Sequence, residues 1–377
     1  MSWTRFDAWP RRALRNAYRS AVGAQALAGL PLPRPSGRGG IRLFYGGARA
    51  GDIGGPPVKV KRLRERFPEH RLTFNLVYTL SNAPYLPGFA LRAIKARGIP
   101  IVANQNGVFY PAWYGGDWRA MNAEMAEGFH LADHVFWQSE FCRRAAAKFL
   151  GERVGPGEVL YNAIDTTHFR PADLPVSPRA FTFLVAGKID THLFYRLEAS
   201  IEGLAVVRRS GVPARLAVAG WVSDAARAKA VRLARERGVD EAVVFTGPYT
   251  QAQAPQVYQD ADAYLMLKHN DPCPNTVLEA MACSLAVVYS DTGGVAELVG
   301  PDAGIGVPCA EDWERPRWPD ADAVAAAMHA VMEKREAMSA AARQRAVERF
   351  DIAPWIERHR TVFAQLVGGA VPEVARG

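Results

Sequence analysis

The chain has 377 residues, 49% of them hydrophobic and 22% charged, the composition of an ordinary globular protein and a length that suits two domains. Its longest apolar runs are strand-length, which excludes a membrane-spanning helix, and its start lacks the continuous apolar core of a signal peptide. The net charge of +8 favours anionic partners, while Cys142, Cys273, Cys283 and Cys309 are scattered, form no metal-type pair and read as free thiols in a reducing cytoplasm.

The basic excess gathers in residues 1–40, where Arg5, Arg11, Arg12, Arg15, Arg19, Arg34 and Arg38 stand against the single acid Asp7. Trp3, Phe6, Leu14 and Tyr18 can share much of one helix face, with Arg11, Arg12, Arg15 and Arg19 around it. A helix of that kind binds anionic lipid, so residues 1–30 admit a peripheral attachment to the inner face of a membrane. The competing reading is a basic arm packed on the protein's own surface. No zinc-finger spacing or nucleic-acid-binding signature accompanies the charge, so no nucleic-acid partner is expected. The histidines are dispersed, and no metal site is expected.

Beyond the arm, apolar runs alternate with helical patterns. Strands are predicted at Ile41–Tyr45, Thr73–Thr79, Pro100–Ala103, His134–Gln138 and Glu158–Tyr161. They resume at Phe181–Ala186, Arg215–Ala219, Ala242–Thr246, Ala263–Leu267 and Ala286–Ser290. Helices fall between them, among them Leu91–Arg97, Glu140–Leu150 and Asp224–Arg237. This alternation implies an α/β fold with parallel sheets covered by helices. Pro171, Pro175 and Pro178 mark the break between two Rossmann-like halves, and ligands of such halves bind at the carboxyl ends of the strands. Asp320–Lys334, Ala337–Phe350 and Trp355–Val367 read as closing helices.

In the first half, Gly46-Gly47 and Gly54-Gly55 follow the first strand, and the amides of this loop can approach a phosphate or a reacting sugar. Tyr110, Trp113 and Tyr114 lie in a loop-like segment where aromatic faces suit the apolar faces of sugar rings, so they are acceptor-binding candidates. In the second half, Tyr249 follows Gly247-Pro248 and can stack on a nucleobase. Gly293-Gly294 sits between a strand and a helix, where backbone can approach a ligand closely.

The stretch Asp271 to Gly300 carries the most chemistry: loop, helix, strand, glycine loop, helix. Pro274 suits the first turn of the helix. The amides of Asn275 and Thr276 can then hold an anion such as a pyrophosphate. Asp271 precedes the helix and Glu279 lies inside it. Two carboxylates flanking an anion site make sense when they accept hydrogen bonds from neutral hydroxyls. A nucleotide-sugar offers sugar hydroxyls at one end, ribose hydroxyls at the other, and a diphosphate between.

Asp271 and Glu279 followed by Ala280-Met281-Ala282 resemble the donor-site signature of the family 4 glycosyltransferases, Glu-x7-Glu with Ala-Met-Ala-x-Gly-x-Pro-Val. Ser284 stands in the place of its Gly and Ala286 in that of its Pro. Leu160–Pro171 looks like the family's interdomain segment, and Val244–Gly247 and Tyr258–Asp262 look like its next landmarks. The resemblance implies the GT-B fold: an N-terminal acceptor domain over 41–171 and a donor domain over 172–350, with sheets facing a central cleft. Residues 351–377 would return to the N-terminal domain.

The resemblance also implies a retaining, hexosyltransferase-type enzyme that takes a nucleotide-diphosphate sugar as co-substrate and needs no cofactor. A glycan, lipid-linked or small-molecule hydroxyl would be the acceptor. Gly187-Lys188 matches the family's Gly-Arg, which pairs with the diphosphate. Leu193 occupies the place of its second cation, for which His192 or Arg196 can substitute. Asn106 stands where the family often has a sugar-contacting His. Asp271, Lys188 and Asn106 are therefore the catalytic candidates. Glu279, Gly187, Asn275, Thr276, Gly293, Gly294, Tyr249, Arg196, Gly54 and Gly55 are the donor-binding ones. The departures at Leu193, Ser284 and Ala286 admit an inactive nucleotide-sugar-binding protein, or a nucleotide-sugar epimerase of the same fold.

Overall fold

The computed structural model describes residues 9–32, 40–51, 54–81, 86–172 and 180–368. The chain divides into unit 1, Met1–Tyr161 with Ala353–Gly377, and unit 2, Asn162–Ile352. No helix among the described residues is long and apolar enough to cross a membrane.

Unit 1 is built on β1 (Leu43–Phe44), β2 (Leu76–Leu80), β3 (Ile101–Gln105), β4 (His134–Trp137) and β5 (Gly157–Val159), parallel and in sequential order. The run of β3 is buried at every position, as a strand covered on both sides requires. The helices are α1 (Trp9–Gly29), α2 (Gly55–Arg64), α3 (Gly88–Ala96), α4 (Trp118–Leu131) and α5 (Glu140–Leu150). Asp117 caps α4 through the Ala120 amide and Ser139 caps α5 through the Cys142 amide, each closing an otherwise open helix start.

Unit 2 contains β6 (Phe181–Ala186), β7 (Ala214–Ala219), β8 (Val243–Gly247), β9 (Ala263–Met266), β10 (Ala286–Ser290) and β11 (Gly304–Val307). All pair in parallel, in the order β11-β10-β9-β6-β7-β8. This is a doubly wound sheet whose strand order reverses between β6 and β9, the place where such sheets open a crevice for ligand. Its helices are α6 (Tyr195–Arg209), α7 (Asp224–Glu236), α8 (Ala254–Gln259), α9 (Asn275–Ala282), α10 (Val295–Val299), α11 (Ala321–Glu333) and α12 (Arg335–Phe350). β11 was not foreseen, because Gly304 and Gly306 dilute its strand pattern.

The units part between Tyr161 and Asn162, not at the proline-rich segment. Asn162 Nδ2 donates to the Cys273 carbonyl at 2.9 Å, and Arg343 Nη1 donates to the carbonyls of Thr166 (3.1 Å) and Phe169 (2.9 Å), so this stretch is fastened to unit 2. The last helix, α13 (Ile352–Leu366), packs in unit 1. Phe363 meets Phe67 edge-on at 5.2 Å, and His359 Nε2 lies 3.2 Å from the Tyr78 hydroxyl.

Part of the N-terminal arm packs inward where it is described, while Leu14 stays exposed at 71%. Arg15 and Arg19 both pair with Glu124, and Tyr18 donates to the Gly47 carbonyl at 2.8 Å. Of the aromatic and arginine face read as lipid-binding, Arg15, Arg19 and Tyr18 are therefore committed to the protein itself. Trp3 and Phe6 and the side chains of Arg11 and Arg12 lie outside the description.

Candidate functional site

In unit 2 the carboxyl ends of β6, β9 and β10 gather most of the residues singled out above. Gly187-Lys188 leaves β6. Gly187 is left-handed at φ 120°, and the exposed Lys188 places its amine 4.8 Å over the Trp221 ring. Asp271 lies beyond β9 and is buried. Its Oδ2 accepts from Lys268 Nζ at 2.6 Å and its Oδ1 from the Cys273 amide at 3.3 Å.

Pro274 precedes α9 instead of opening it; the helix begins at Asn275 without a side-chain cap, so its first amides have no intrahelical acceptor. Asn275 Oδ1 is buried without a hydrogen-bond partner, and the Thr276 side chain lies near the Tyr264 phenol.

Glu279, one turn into α9, is buried and accepts from the Tyr258 hydroxyl at 2.6 Å. Tyr249 reaches the same network. Burial pushes its phenol up, the Glu279 charge adds to that, and Tyr258 lies in hydrogen-bonding reach. The two acids are thus preset as hydrogen-bond acceptors, Asp271 held by Lys268 and the Cys273 amide and Glu279 by Tyr258.

Gly293 has a packing role in the loop. At φ 75° a Cβ there would meet the Asp271 carbonyl oxygen at 2.5 Å, and the Gly294 amide donates to that oxygen at 2.9 Å. The glycines admit the backbone of the Asp271 loop and so fix the acid.

Arg196 is almost fully enclosed, at 4% exposure. Its Nη2 lies 3.4 Å from the Ala186 carbonyl and 3.9 Å from Met266 Sδ, which spans the ends of β6 and β9, the point of strand reversal. Leu193 packs against the apolar core of unit 2. His192 is exposed. Desolvation by the atoms around it lowers its pKa, and the neighbouring Lys268 and Lys188 add to that against Asp190.

In unit 1 the Asn106 side chain is locked. Its Oδ1 accepts from Gln138 Nε2 and, at 3.3 Å, from the buried Lys59 Nζ; Lys59 also donates to Asn104 Oδ1 at 2.6 Å. Gly54, at φ 89°, precedes α2, and Gly54 and Gly55 are exposed. The acceptor-binding assignment of Tyr110 and Tyr114 needs correction. Their exposures are 4% and 3%, and they pack with Phe109, Trp113 and Phe149, so their apolar faces are spent on one another. Trp113 is half-buried, with its Nε1 donating to the Val108 carbonyl at 2.9 Å.

Sequence reasoning missed Tyr258, Tyr264, Lys59 and Lys268. Tyr258 was visible only as part of a landmark. Lys268, three residues before Asp271 at a strand end, was the signal that went unread. Among the described residues no three His, Cys, Asp or Glu side chains gather where they could hold a metal ion.

Residues 172–345 match the family model described as "Glycosyl transferases group 1". Unit 2 carries a glycosyl transferases group 1 domain. A 156-residue stretch is 27% identical to D-inositol 3-phosphate glycosyltransferase of Rhodococcus erythropolis (strain PR4 / NBRC 100887), covering 38% of this chain and 34% of that protein. The chain therefore spans about a third of the length of that curated relative.

Among solved structures, sucrose-phosphate synthase from Thermosynechococcus elongatus superposes with a TM-score of 0.63 at 17% identity, covering 82% of this chain and 76% of that one. Anabaena Alr3699/HepE in complex with UDP gives 0.62 at 16%, covering 82% and 81%. The fold around the group 1 domain is GT-B, with two parallel sheets.

Proposed function

We propose that this protein is a retaining glycosyltransferase that moves a sugar from a nucleotide-diphosphate donor to a hydroxyl acceptor. One observation carries the reading: two buried carboxylates, Asp271 and Glu279, stand on either side of an uncapped helix start where the strand order of unit 2 reverses. Glu279 accepts from the ribose hydroxyls and Asp271 from the hydroxyls of the transferred sugar. The opening amides of α9 and Lys188 meet the diphosphate, whose charge grows as it leaves. The leaving oxygen takes the acceptor proton on the same face, which retains configuration without a covalent carboxylate intermediate.

The HepE structures hold UDP, UDP with glucose, and UDP-glucose, so uridine nucleotides come first among the donors to try. Isothermal calorimetry with UDP, GDP and ADP, each in EDTA, tests the reading, followed by transfer assays with the sugar forms of the nucleotide that binds. We expect one nucleoside diphosphate to bind in EDTA, because cationic side chains and helix amides meet its charge. A chain that binds none of them, or binds only when a divalent ion is restored, contradicts this account.

A further inference from the structure

The turn that carries Asp271 is pinned through its backbone. The His269 amide donates to the Tyr195 hydroxyl at 3.2 Å, the Asn270 amide to Thr292 Oγ1 at 3.0 Å and the Gly294 amide to the Asp271 carbonyl at 2.9 Å. Asn270, left-handed at φ 48°, turns the chain back so that Lys268 and Asp271, three residues apart, meet. None of these backbone bonds uses the Lys268 side chain, so the turn stands without it.

Lys268 therefore works on the carboxylate alone. Among the described residues its ammonium makes a single hydrogen bond, to Asp271 Oδ2 at 2.6 Å. Its side chain keeps 32% exposure against 11% for the acid. An ammonium carries three donors, so two remain. Its charge reaches His192, which follows β6, and helps to lower that pKa, so the ammonium faces the crevice where β6 and β9 diverge. Asp271 has one donor on each oxygen, Lys268 on Oδ2 and the Cys273 amide on Oδ1, and a carboxylate oxygen has room for a second. The end of β9 thus presents a hydrogen-bond donor and an acceptor side by side. Neighbouring hydroxyl oxygens on a sugar ring have a similar spacing, and each hydroxyl can both donate and accept.

We propose that Lys268 and Asp271 act as one pair that reads two adjacent hydroxyls of the transferred sugar. Asp271 accepts from the first hydroxyl, and Lys268 donates to the oxygen of the second. The proposal rests on the donor reading above and deepens it by naming the sugar class, one that keeps a free vicinal diol at this edge. A sugar lacking either hydroxyl leaves one member of the pair without its partner, and a site built to hydrogen-bond a hydroxyl rejects the analogue that lacks it.

The test compares the wild-type protein with Lys268→Met, Lys268→Gln and Asp271→Asn, with circular dichroism for folding. Release of nucleoside diphosphate, with water as acceptor, is followed for the glucose and mannose forms of UDP, GDP and ADP. It is then followed for each singly deoxygenated analogue of the form that turns over. In the wild type, loss of either of two adjacent hydroxyls should lower turnover roughly ten- to a hundredfold, the worth of a charged hydrogen bond. Lys268→Met should slow the parent donor by a similar factor and leave nucleoside-diphosphate affinity unchanged. It should also cease to distinguish the parent from one of the two analogues, and Asp271→Asn should do the same for the other. Lys268→Gln, which keeps a neutral donor, should recover part of the loss, and it serves as the test should the Met variant fail to fold.

A folded Lys268 variant that discriminates against every analogue as the wild type does overturns the proposal and leaves the donor reading standing. So does sensitivity to hydroxyls that are not adjacent. A wild-type protein that turns over none of these donors overturns both.

Discussion

Asp271 and Glu279 differ in what already holds them, and that difference sets what each substitution should do. Glu279 is steadied by a neutral phenol, whereas Asp271 is paired with the Lys268 ammonium. Glu279→Gln removes the charge that the ribose hydroxyls would meet in ground and transition state alike. We expect nucleoside-diphosphate affinity to fall roughly ten- to a hundredfold. Asp271→Asn should spare the free nucleotide diphosphate and lower the transfer rate, since the sugar alone meets that group. Calorimetry beside transfer kinetics, with circular dichroism for folding, separates the two. Wild-type values for both folded variants would remove the donor-site assignment.

α9 is the element on which the site turns, and its far end carries a local conflict. Ser284 follows the helix at φ 61°, in the left-handed region that a glycine adopts without penalty. Its amide donates to the Met281 carbonyl at 3.0 Å and the Leu285 amide to the Ala280 carbonyl at 2.9 Å, so the turn is closed despite the serine. Ser284→Gly should stabilise the protein by about 1 kcal/mol and raise the melting temperature by about 2–4 °C, without changing nucleotide affinity. A melt unchanged or lowered would mean that the Ser284 side chain makes up for the strain. The family resemblance had marked this position only as a departure from glycine; the backbone angle shows what the departure costs.

Across the whole chain, unit 1 depends on a helix that arrives only after unit 2 has been built. In α13, His359 is fully enclosed. Burial drives its pKa down to about 3, against an ordinary value of 6.5, so its neutral ring accepts from Tyr78 and donates to the Trp355 carbonyl. The unfolded chain takes up the proton more readily. Stability from this group is thus full above pH 6.5 and declines as pH falls towards about 3, by at most about 1.4 kcal/mol per unit.

Arg358 of the same helix pairs with Glu158 of β5. Burial raises that carboxyl, but His134, 3.3 Å away, and the hydrogen-bonded Arg358 outweigh it and hold it at about 2, against 4.5. Glu158 is partly exposed, so its share is smaller, and it is lost only as pH drops from 4.5 towards about 2. Urea melts across this range should show unit 1 weakening first below the histidine value. His359→Leu should flatten that limb at some cost in stability at neutral pH. Parallel pH profiles for the two proteins would show that His359 does not govern the acid limb.

The chain itself determined the alternation of strands and helices, two Rossmann-like halves with parallel sheets, and the span from Asp271 to Gly294 in which a helix start lies between two acids. Those signals are local: apolar runs, a proline, glycines, and one acid before a helix with a second inside it. The tertiary structure decided what each side chain faces. It buried Tyr110 and Tyr114 in their own aromatic cluster, turned Arg15 and Arg19 onto Glu124, and assigned Gly293 to the Asp271 backbone. It also left Arg196 enclosed without an acid at the strand reversal, while Leu193 entered the core. Periodicity reports that a residue lies on a strand or a helix. Whether its partner is core, solvent or ligand depends on elements far away in the chain, such as β6 and β9 meeting beside α6, and these come together only when the sheet is complete.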